Sequence, residues 1–529
     1  MDILPALLES WSEIFSNPDT LYNCSRAVSE SLKVLILPFA IALALAWRAI
    51  PDRLAVRVLG VLVVLTTLNY ARWGERTVFE KIDTYDLSHY YLNSKYFDEL
   101  GYYDLYPAMM LADYSNDGPH FQDGSRYMAQ NAAGHGMKPI SHALKRGEWV
   151  KENQFTPERW EAFEHDSLYL QRELKGFTSK LWRQMIQDHG YNGTPPWTTI
   201  ARPLASIVPV ESIKLLGFVD LGLIVAATGA TVWAFGGPAA SWLWIFLMCG
   251  YSTRWPTITW SYLRYDYICA LIIGMAFVKK GKYLLAGVMT GWAATMRLFP
   301  AMYLYGPGMK GLIGLTGVGL KSRIVHKKLL VLAGGFLLSV GALQGLAVAD
   351  LGAEQVQVHF ENMVDHNSSD QLSSRRVGLA LALPYYPGQD VPKFIELERK
   401  ETIESQKPLR FAIAGVVMLL LGFGLRNARD EETYAVGFIP FFLLTTASYY
   451  YYVARATLVI MHAADLSKWR NRFGLAWLLG LEWFMNMAET AWPGQRVLGI
   501  GGLAWGIAIY TAALTVWFLV ESYRSADKS

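Results

Sequence analysis

Residues 329–348 read LLVLAGGFLLSVGALQGLAV, a run of twenty residues without one acidic or basic side chain. A helix of about 20 apolar residues is about 30 Å long, which is the thickness of a membrane's hydrocarbon core. Similar apolar blocks recur on both sides of this run, separated by polar segments. Over the 529 residues, 52% are hydrophobic and 18% are charged. The chain is therefore predicted to be an all-α polytopic membrane protein.

The apolar blocks predict a bundle of about thirteen transmembrane helices. They lie at residues 33–48, 55–71, 211–235, 239–253, 264–279, 283–299, 301–320, 329–348, 409–425, 433–449, 452–466, 473–488 and 498–520. The blocks at 239–253 and 301–320 are short or rich in proline and glycine, which predicts broken or re-entrant helices there.

Lysine and arginine gather in alternate connections between the blocks. The basic connections are 48–57, 279–282, 321–328, 426–429, 468–472 and the C-terminal 524–528. Connections rich in these residues stay on the cytoplasmic side. The N-terminus is therefore predicted outside, the C-terminus inside, and the two long polar segments on the outer face.

This topology divides the chain into five parts. They are the first two spans (1–71), a large outer loop (72–210), a transmembrane core (211–348), a second outer loop (349–408) and the C-terminal helices (409–529). In the large loop, 86–111 is predicted to be an amphipathic helix at the membrane interface. Further surface helices are predicted at 142–151 and 157–189, with Thr156 as the N-cap of the second.

Several classes of function are excluded by composition and motifs. A net charge of +3 is too small for nucleic-acid binding and is explained by topology. The three cysteines form no C-x-x-C spacing, and no metal-ligand motif, P-loop or dinucleotide fingerprint occurs. No metal and no cofactor are therefore expected.

Two carboxylates, Asp83 and Asp86, follow the second span at the start of the large loop. In a helix, a spacing of three residues places both on one face. A carboxylate in a partly desolvated boundary can serve as a general base. The alternative, a helix cap or solvated loop acids, remains open on the residues alone.

Four short motifs follow one another along the chain. They are Asp86-Leu87 with Tyr90-Tyr91, Gly101 and Leu105-Tyr106-Pro107; Tyr191 to Pro196; Gly287 and Gly291 leading to Arg297-Leu298-Phe299-Pro300; and His359, His366, Asn367 and Val377-Gly378. This set resembles the polyprenyl-phosphate-dependent glycosyltransferases with the GT-C fold, in particular their bacterial mannosyltransferase group, which includes the phosphatidylinositol mannoside enzymes. The motifs occur in the family's order across much of residues 55–380.

This resemblance implies a GT-C-like bundle with interfacial helices on the outer face. It implies transfer of a hexose from a polyprenyl phosphate to an extracytoplasmic lipid or glycan acceptor, and mannose is the first candidate for that hexose. Asp86 would be the base, with Asp83 in reserve. The implied ligands of the donor phosphate are Arg297, His366, Arg375, Arg376, His359 and Arg264, with Arg455 behind them, and the implied sugar or acceptor contacts are Tyr90, Tyr91 and Tyr191.

The implied setting is the cytoplasmic membrane of a bacterium, and the implied partners are membrane lipids. Two other classes of function remain open. A lipid or glycan transporter or flippase would show repeated halves and polar groups near the bilayer midplane. A non-catalytic scaffold would use the Tyr- and Trp-rich outer loop to bind a partner.

Overall fold

The computed structural model describes residues 26–71, 84–116, 126–131, 134–172, 182–183, 185–188, 190–253, 262–314, 320–366, 376–382, 397–491 and 496–526. Within these ranges the fold is dominated by helices, as the apolar blocks predict. The first two, α1 (Arg26–Ala46) and α2 (Asp52–Tyr70), pack side by side.

The large outer loop folds into a compact unit, here called the outer unit. It consists of α3 (Thr84–Lys95), α4 (Phe97–Leu100), α5 (Leu105–Tyr114), the hairpin of β1 (Arg126–Asn131) and β2 (Gly134–Pro139), α6 (Ile140–Gln154), α7 (Pro157–Arg172) and α8 (Pro195–Ile207). The α6 and α7 helices begin close to where surface helices are predicted. The Thr156 hydroxyl accepts a hydrogen bond from the Arg159 N–H at 3.3 Å, as expected of an N-cap.

One prediction about the outer unit is wrong, and one element of the unit was not predicted. Segment 86–111 is not one amphipathic interfacial helix, because Gly101 adopts a φ of +53° and turns the chain between α4 and α5. All of 87–94 and 105–113 is buried rather than lying half in lipid. The antiparallel hairpin, with Arg126 opposite Pro139, was also not expected in an all-α chain.

The middle of the chain supplies the core helices. These are a 3-10 helix (Val210–Leu216) leading into α9 (Gly217–Phe235), α10 (Gly237–Cys249), a 3-10 turn (Tyr251–Thr253), α11 (Asp266–Lys279), α12 (Tyr283–Met296), a 3-10 helix (Phe299–Leu304), α13 (Tyr305–Gly314) and α14 (Leu320–Leu351). The block at 301–320 begins as a 3-10 helix that passes into α13 at Tyr305, and residues 315–319 lie outside the described residues.

The second outer loop and the C-terminal part complete the bundle. Their elements are α15 (Ala353–His366), β3 (Arg376–Val377), α16 (Leu379–Ala382), α17 (Leu397–Ser405), α18 (Lys407–Gly424), a 3-10 turn (Leu425–Asn427), α19 (Asp430–Ala435), α20 (Phe438–Leu444), β4 (Ala447–Ser448), a 3-10 helix (Tyr449–Arg455), α21 (Ala456–Ala463), α22 (Trp469–Ala491) and α23 (Arg496–Ala526). The two short strands β3 and β4 pair antiparallel.

Among the described residues, five helices are long and apolar enough to cross a membrane. They are Asp52–Tyr70, Val210–Phe235, His326–Leu351, Lys407–Asn427 and Gly499–Arg524. The protein is therefore a membrane protein, while the count of about thirteen spans stays a prediction. The predicted spans at 433–449 and 452–466 are each divided into short helices.

Glycines allow α12 and α14 to approach until their backbones touch. A Cβ atom at Gly287 would overlap the Leu332 carbonyl oxygen, and one at Gly335 would overlap the Leu284 carbonyl oxygen. Small residues of this kind are the usual means of close helix packing in membranes. The packed pair of α12 and α14 is here called the wall. Its α12 side ends at Met296, just before Arg297.

Basic residues from the connections predicted to be cytoplasmic meet at one end of the bundle, here called the basic end. Ion pairs join the helix ends there: Lys279–Glu431 at 2.7 Å, Lys310–Asp430 at 2.7 Å, Lys328–Asp430 at 2.8 Å and Arg470–Glu432 at 2.6 Å. The structure thus brings together connections that the sequence assigns to one side of the membrane.

Candidate functional site

Tyr90 of α3 joins the outer unit to the membrane core. Its hydroxyl donates to the Asn192 side-chain oxygen at 2.5 Å and accepts from the Arg264 guanidinium at 2.7 Å. That guanidinium also lies over the Tyr90 ring, 4.6 Å from its centre. A buried arginine therefore holds a residue of the predicted catalytic motif by both charge and stacking.

The backbone around Arg264 is fixed by several buried groups. Leu263 has a φ of +52°, the one non-glycine residue with positive φ in the described ranges. Its carbonyl accepts from the Trp197 indole at 2.8 Å, and the Asp220 carboxylate accepts from the Arg264 N–H at 2.9 Å. Backbone strain of this kind persists only where surrounding contacts over-determine it, and here it places the Arg264 side chain.

Arg297 stands where the wall of α12 ends, as the motif predicts. Its backbone is extended, with φ −148° and ψ 133°, and one guanidinium nitrogen donates to the Met296 carbonyl at 2.7 Å. The guanidinium also lies 6.0 Å from the centre of the Tyr267 ring. Its charge acts on Tyr90, Asp266 and Tyr451, which places it in the same neighbourhood as Arg264.

The 3-10 helix Tyr449–Arg455 closes this neighbourhood with two tyrosines. The rings of Tyr450 and Tyr451 are 4.6 Å apart. Burial alone would raise the pKa of Tyr451, but the charges of Arg297 and Arg264 outweigh it and lower that pKa. A tyrosine whose ionised form is favoured reports a strongly positive surrounding.

Arg376 adds a third guanidinium to the group. It is buried in the short β3–β4 ladder, and burial lowers its pKa while Tyr450 and Tyr451 act in the opposite direction. The group of three arginines and three tyrosines is here called the arginine–tyrosine cluster: Arg264, Arg297, Arg376, Tyr90, Tyr450 and Tyr451. Two buried acidic residues, Asp220 and Asp266, lie beside these arginines.

His359 borders the cluster as a neutral group. Burial, followed by the charge of Arg297, lowers its pKa to about 4. At pH 7 the ring is therefore uncharged, and it can offer a hydrogen bond but no positive charge to an anion. Its ring lies 5.6 Å from that of Tyr102 in the outer unit.

The other predicted residues are placed differently. Asp86 lies in the first turn of α3, one helical turn before Tyr90, and His366 ends α15; both side chains lie outside the described part. Asp83 and Arg375 lie outside the described residues altogether. Tyr191 packs 5.7 Å from the Tyr90 ring with its hydroxyl on Thr198.

Tyr91 and Arg455 belong to other surroundings. The Tyr91 hydroxyl donates to the Val208 carbonyl at 2.9 Å, away from Arg264. Arg455 is buried in an ion pair with Glu482 at 2.5 Å. Both therefore have structural partners in this protein. Glu482 lies inside a predicted span, and an ionisable residue there is a signal that sequence reasoning passed over.

Within the described ranges, no three His, Cys, Asp or Glu side chains form a group that could hold a metal ion. No protein-family model matches the chain, and no curated protein or solved structure gives a significant match. The likeness to the GT-C enzymes therefore rests on the sequence motifs alone.

Proposed function

We propose that this protein is an integral membrane glycosyltransferase that moves a hexose, with mannose as the proposed sugar, from a polyprenyl phosphate to an extracytoplasmic lipid or glycan acceptor. The observation that carries the proposal is that Arg264 and Arg297 lie near Tyr90, on the helix that bears Asp86, while Arg376 adjoins them through Tyr450 and Tyr451. Arginine is the residue best suited to bind phosphate oxygens in a partly dry site.

The proposed reaction is a displacement at the anomeric carbon. The acceptor hydroxyl oxygen attacks that carbon, the bond from the carbon to the phosphate oxygen breaks, and polyprenyl phosphate leaves with the electron pair. The hydroxyl proton passes to Asp86. The charge that grows on the leaving phosphate is stabilised by Arg264 and Arg297, which stand in place before the reaction begins.

Tyr90 is proposed to act as a positioning residue. Its hydroxyl bridges Arg264 and Asn192, so it sets the distance between the guanidinium and α3. Because Asp86 lies one turn earlier on that helix, the bridge also fixes the start of α3 relative to the cations. The donor lipid supplies the activated sugar, and no cofactor takes part in this scheme.

Transport of a lipid or glycan is the second candidate, and two features favour it. The helices are interrupted at residues 297–298 and 436–437, and a buried ion pair joins Arg455 to Glu482. Both features are common in transporters. A transporter would move the lipid-linked sugar across the membrane without forming a new glycosidic bond.

Sugar transfer tests the proposal through a matched pair of variants. Membranes carrying the protein are supplied with radiolabelled polyprenyl-phosphate mannose, and label in other lipids or glycans is measured. Tyr90→Phe removes the hydroxyl bound to Arg264, and we expect transfer to fall about tenfold, the cost of one hydrogen bond to a charged group. Tyr102→Phe removes a buried hydroxyl that donates to the Gly193 carbonyl at 3.0 Å, and we expect near-normal transfer.

Equal losses in the two variants would assign Tyr90 a role in folding alone. Label that crosses the membrane while remaining on the polyprenyl phosphate would favour the transport function. If neither transfer nor transport is detected with several lipid-linked sugars, the remaining function is that of a non-catalytic scaffold.

A further inference from the structure

A groove opens at the basic end between α12 and α14, far along both helices from Arg297. Its volume is about 380 Å³, and its lining includes Lys282, Leu284, Leu285, Lys327, Lys328 and Val331. The close contact of Gly335 with the Leu284 backbone keeps its two walls in a fixed relation. The groove is therefore a preformed feature and does not depend on a flexible loop.

The groove carries more positive than negative charge. Lys328 and Lys310 share one carboxylate, Asp430, at 2.8 Å and 2.7 Å. Lys282 and Lys327 are exposed, and neither forms an ion pair with a carboxylate among the residues that the structure describes. The tyrosine hydroxyl of Tyr283 also binds Asp430, at 2.5 Å. A ligand of this groove is thus expected to be an anion.

The groove lies where the apolar helices end. In α14, Lys327 and Lys328 directly precede the uncharged run 329–348. The Lys280 and Lys282 ammonium groups lie 5.2 Å and 5.3 Å from the ring centre of Trp233, near the end of another spanning helix. Tryptophan and lysine are both enriched at the level of lipid head groups.

One wall of the groove continues into exposed apolar surface. Leu284 is 48% exposed and Leu285 is 42% exposed, on the side of α12 that faces away from the bundle. A soluble anion would contact the lysines and leave these leucines exposed, whereas the acyl chain of a lipid would cover the leucines. Charge and apolar surface side by side therefore indicate one occupant, a lipid with an anionic head group.

We propose that this groove binds an anionic phospholipid, with its phosphate between Lys282 and Lys327 and its acyl chains along Leu284 and Leu285. Basic pockets between membrane helices bind lipid head groups in this way. The site lies at the opposite end of the bundle from the arginine–tyrosine cluster, and its existence does not depend on sugar transfer.

Native mass spectrometry of the full-length protein in detergent tests the site directly. The protein is titrated with phosphatidylglycerol or with phosphatidylcholine of the same acyl chains, and bound lipid is counted. The test variant is Lys282→Ala with Lys327→Ala. The matched control, Lys145→Ala with Lys151→Ala, removes the same charge from exposed positions of α6. Neither variant changes a buried residue, and the unfolding temperature of each is measured to check that it folds.

We expect the wild type to bind phosphatidylglycerol more tightly than phosphatidylcholine. The test variant is expected to bind phosphatidylglycerol about tenfold more weakly, because each lysine near a membrane surface contributes to anionic-lipid affinity. The control is expected to match the wild type. Equal binding of the two lipids, equal binding by wild type and test variant, or displacement by inorganic phosphate at the lipid's own concentration would each overturn the proposal.

Discussion

At the scale of single residues, the protein buries charge in two contrasting ways. Arg455 and Glu482 form a neutral pair 2.5 Å apart, and Glu482 also accepts from the Tyr251 N–H at 2.5 Å. Arg297 has no such carboxylate bond among the described residues. A paired arginine serves the fold, whereas an arginine held in place without a direct ion pair is available to an incoming phosphate.

The buried pair leads to a prediction about stability. Glu482→Gln leaves the Arg455 charge without its partner, and we expect the free energy of unfolding to fall by about 3 kcal/mol. Adding Arg455→Met is expected to recover part of that loss, since no charge then remains buried. The measurement is the unfolding temperature of the purified protein in detergent.

Glu489→Gln is the control, because Glu489 lies on the same helix and has its own hydrogen bond to Tyr251. An unchanged unfolding temperature in Glu482→Gln would contradict the assignment of this pair to the fold. A double variant less stable than the single one would contradict the physical reason.

At the scale of elements, the wall of α12 and α14 positions Arg297. Some glycines of this pair of helices leave no room for a Cβ atom, whereas others have open space where a Cβ atom would lie. A Cβ atom at Gly335 meets the backbone of Leu284, whereas a Cβ atom at the neighbouring Gly334 meets no atom within 4 Å. One added methyl group thus has opposite consequences at adjacent positions.

Gly335→Ala is expected to push the two helices apart and lower the unfolding temperature, by an overpacking cost of about 1–3 kcal/mol. Gly334→Ala is expected to leave it unchanged or raise it slightly, because alanine favours a helix by about 1 kcal/mol over glycine. Thermal unfolding of both variants in one detergent gives the answer. Equal shifts in the same direction would show that the helices do not pack through this face.

At the scale of the whole molecule, the two ends of the bundle differ in chemistry. One end carries the outer unit and the arginine–tyrosine cluster, and the other carries the ion pairs of the basic end. The positive-inside rule assigns the basic end to the cytoplasm. With this orientation we expect the candidate site on the outer face, where the proposed lipid-linked sugar would meet its acceptor.

Single cysteines test the orientation of the molecule. In a Cys24→Ser background, the remaining Cys249 and Cys269 are buried. We expect Glu148→Cys in the outer unit to react with a membrane-impermeant maleimide in intact cells. We expect Lys468→Cys at the basic end to react only after the cells are permeabilised. The reverse pattern would place the outer unit in the cytoplasm and contradict the proposed acceptor side.

Sequence reasoning succeeded where a local pattern determines the outcome. The apolar run 329–348 lies within α14, and the block 301–320, rich in proline and glycine, begins with 3-10 rather than α-helical geometry. The motif at 297–300 predicted Arg297 at a helix end. The local sequence is sufficient to predict a basic residue at such a position. These features depend on neighbours in the chain.

The features that sequence reasoning missed depend on distant contacts. Tyr90 meets Arg264 across 174 positions and Asn192 across 102. Tyr450 and Tyr451 carry no sequence signal of a role, because no pattern in their segment indicates their arginine neighbours. The burial of 87–94 has the same cause, since aromatic residues suit a membrane interface and a protein interior equally well.

The most direct test of sugar transfer compares donor binding with turnover in one purified sample. Asp86→Asn keeps the arginine–tyrosine cluster, so we expect it to bind polyprenyl-phosphate mannose with wild-type affinity. Without the base, we expect it to transfer the sugar about 100-fold more slowly or worse. Wild-type turnover in Asp86→Asn, or a wild-type protein that binds the donor and never transfers its sugar, would contradict the account.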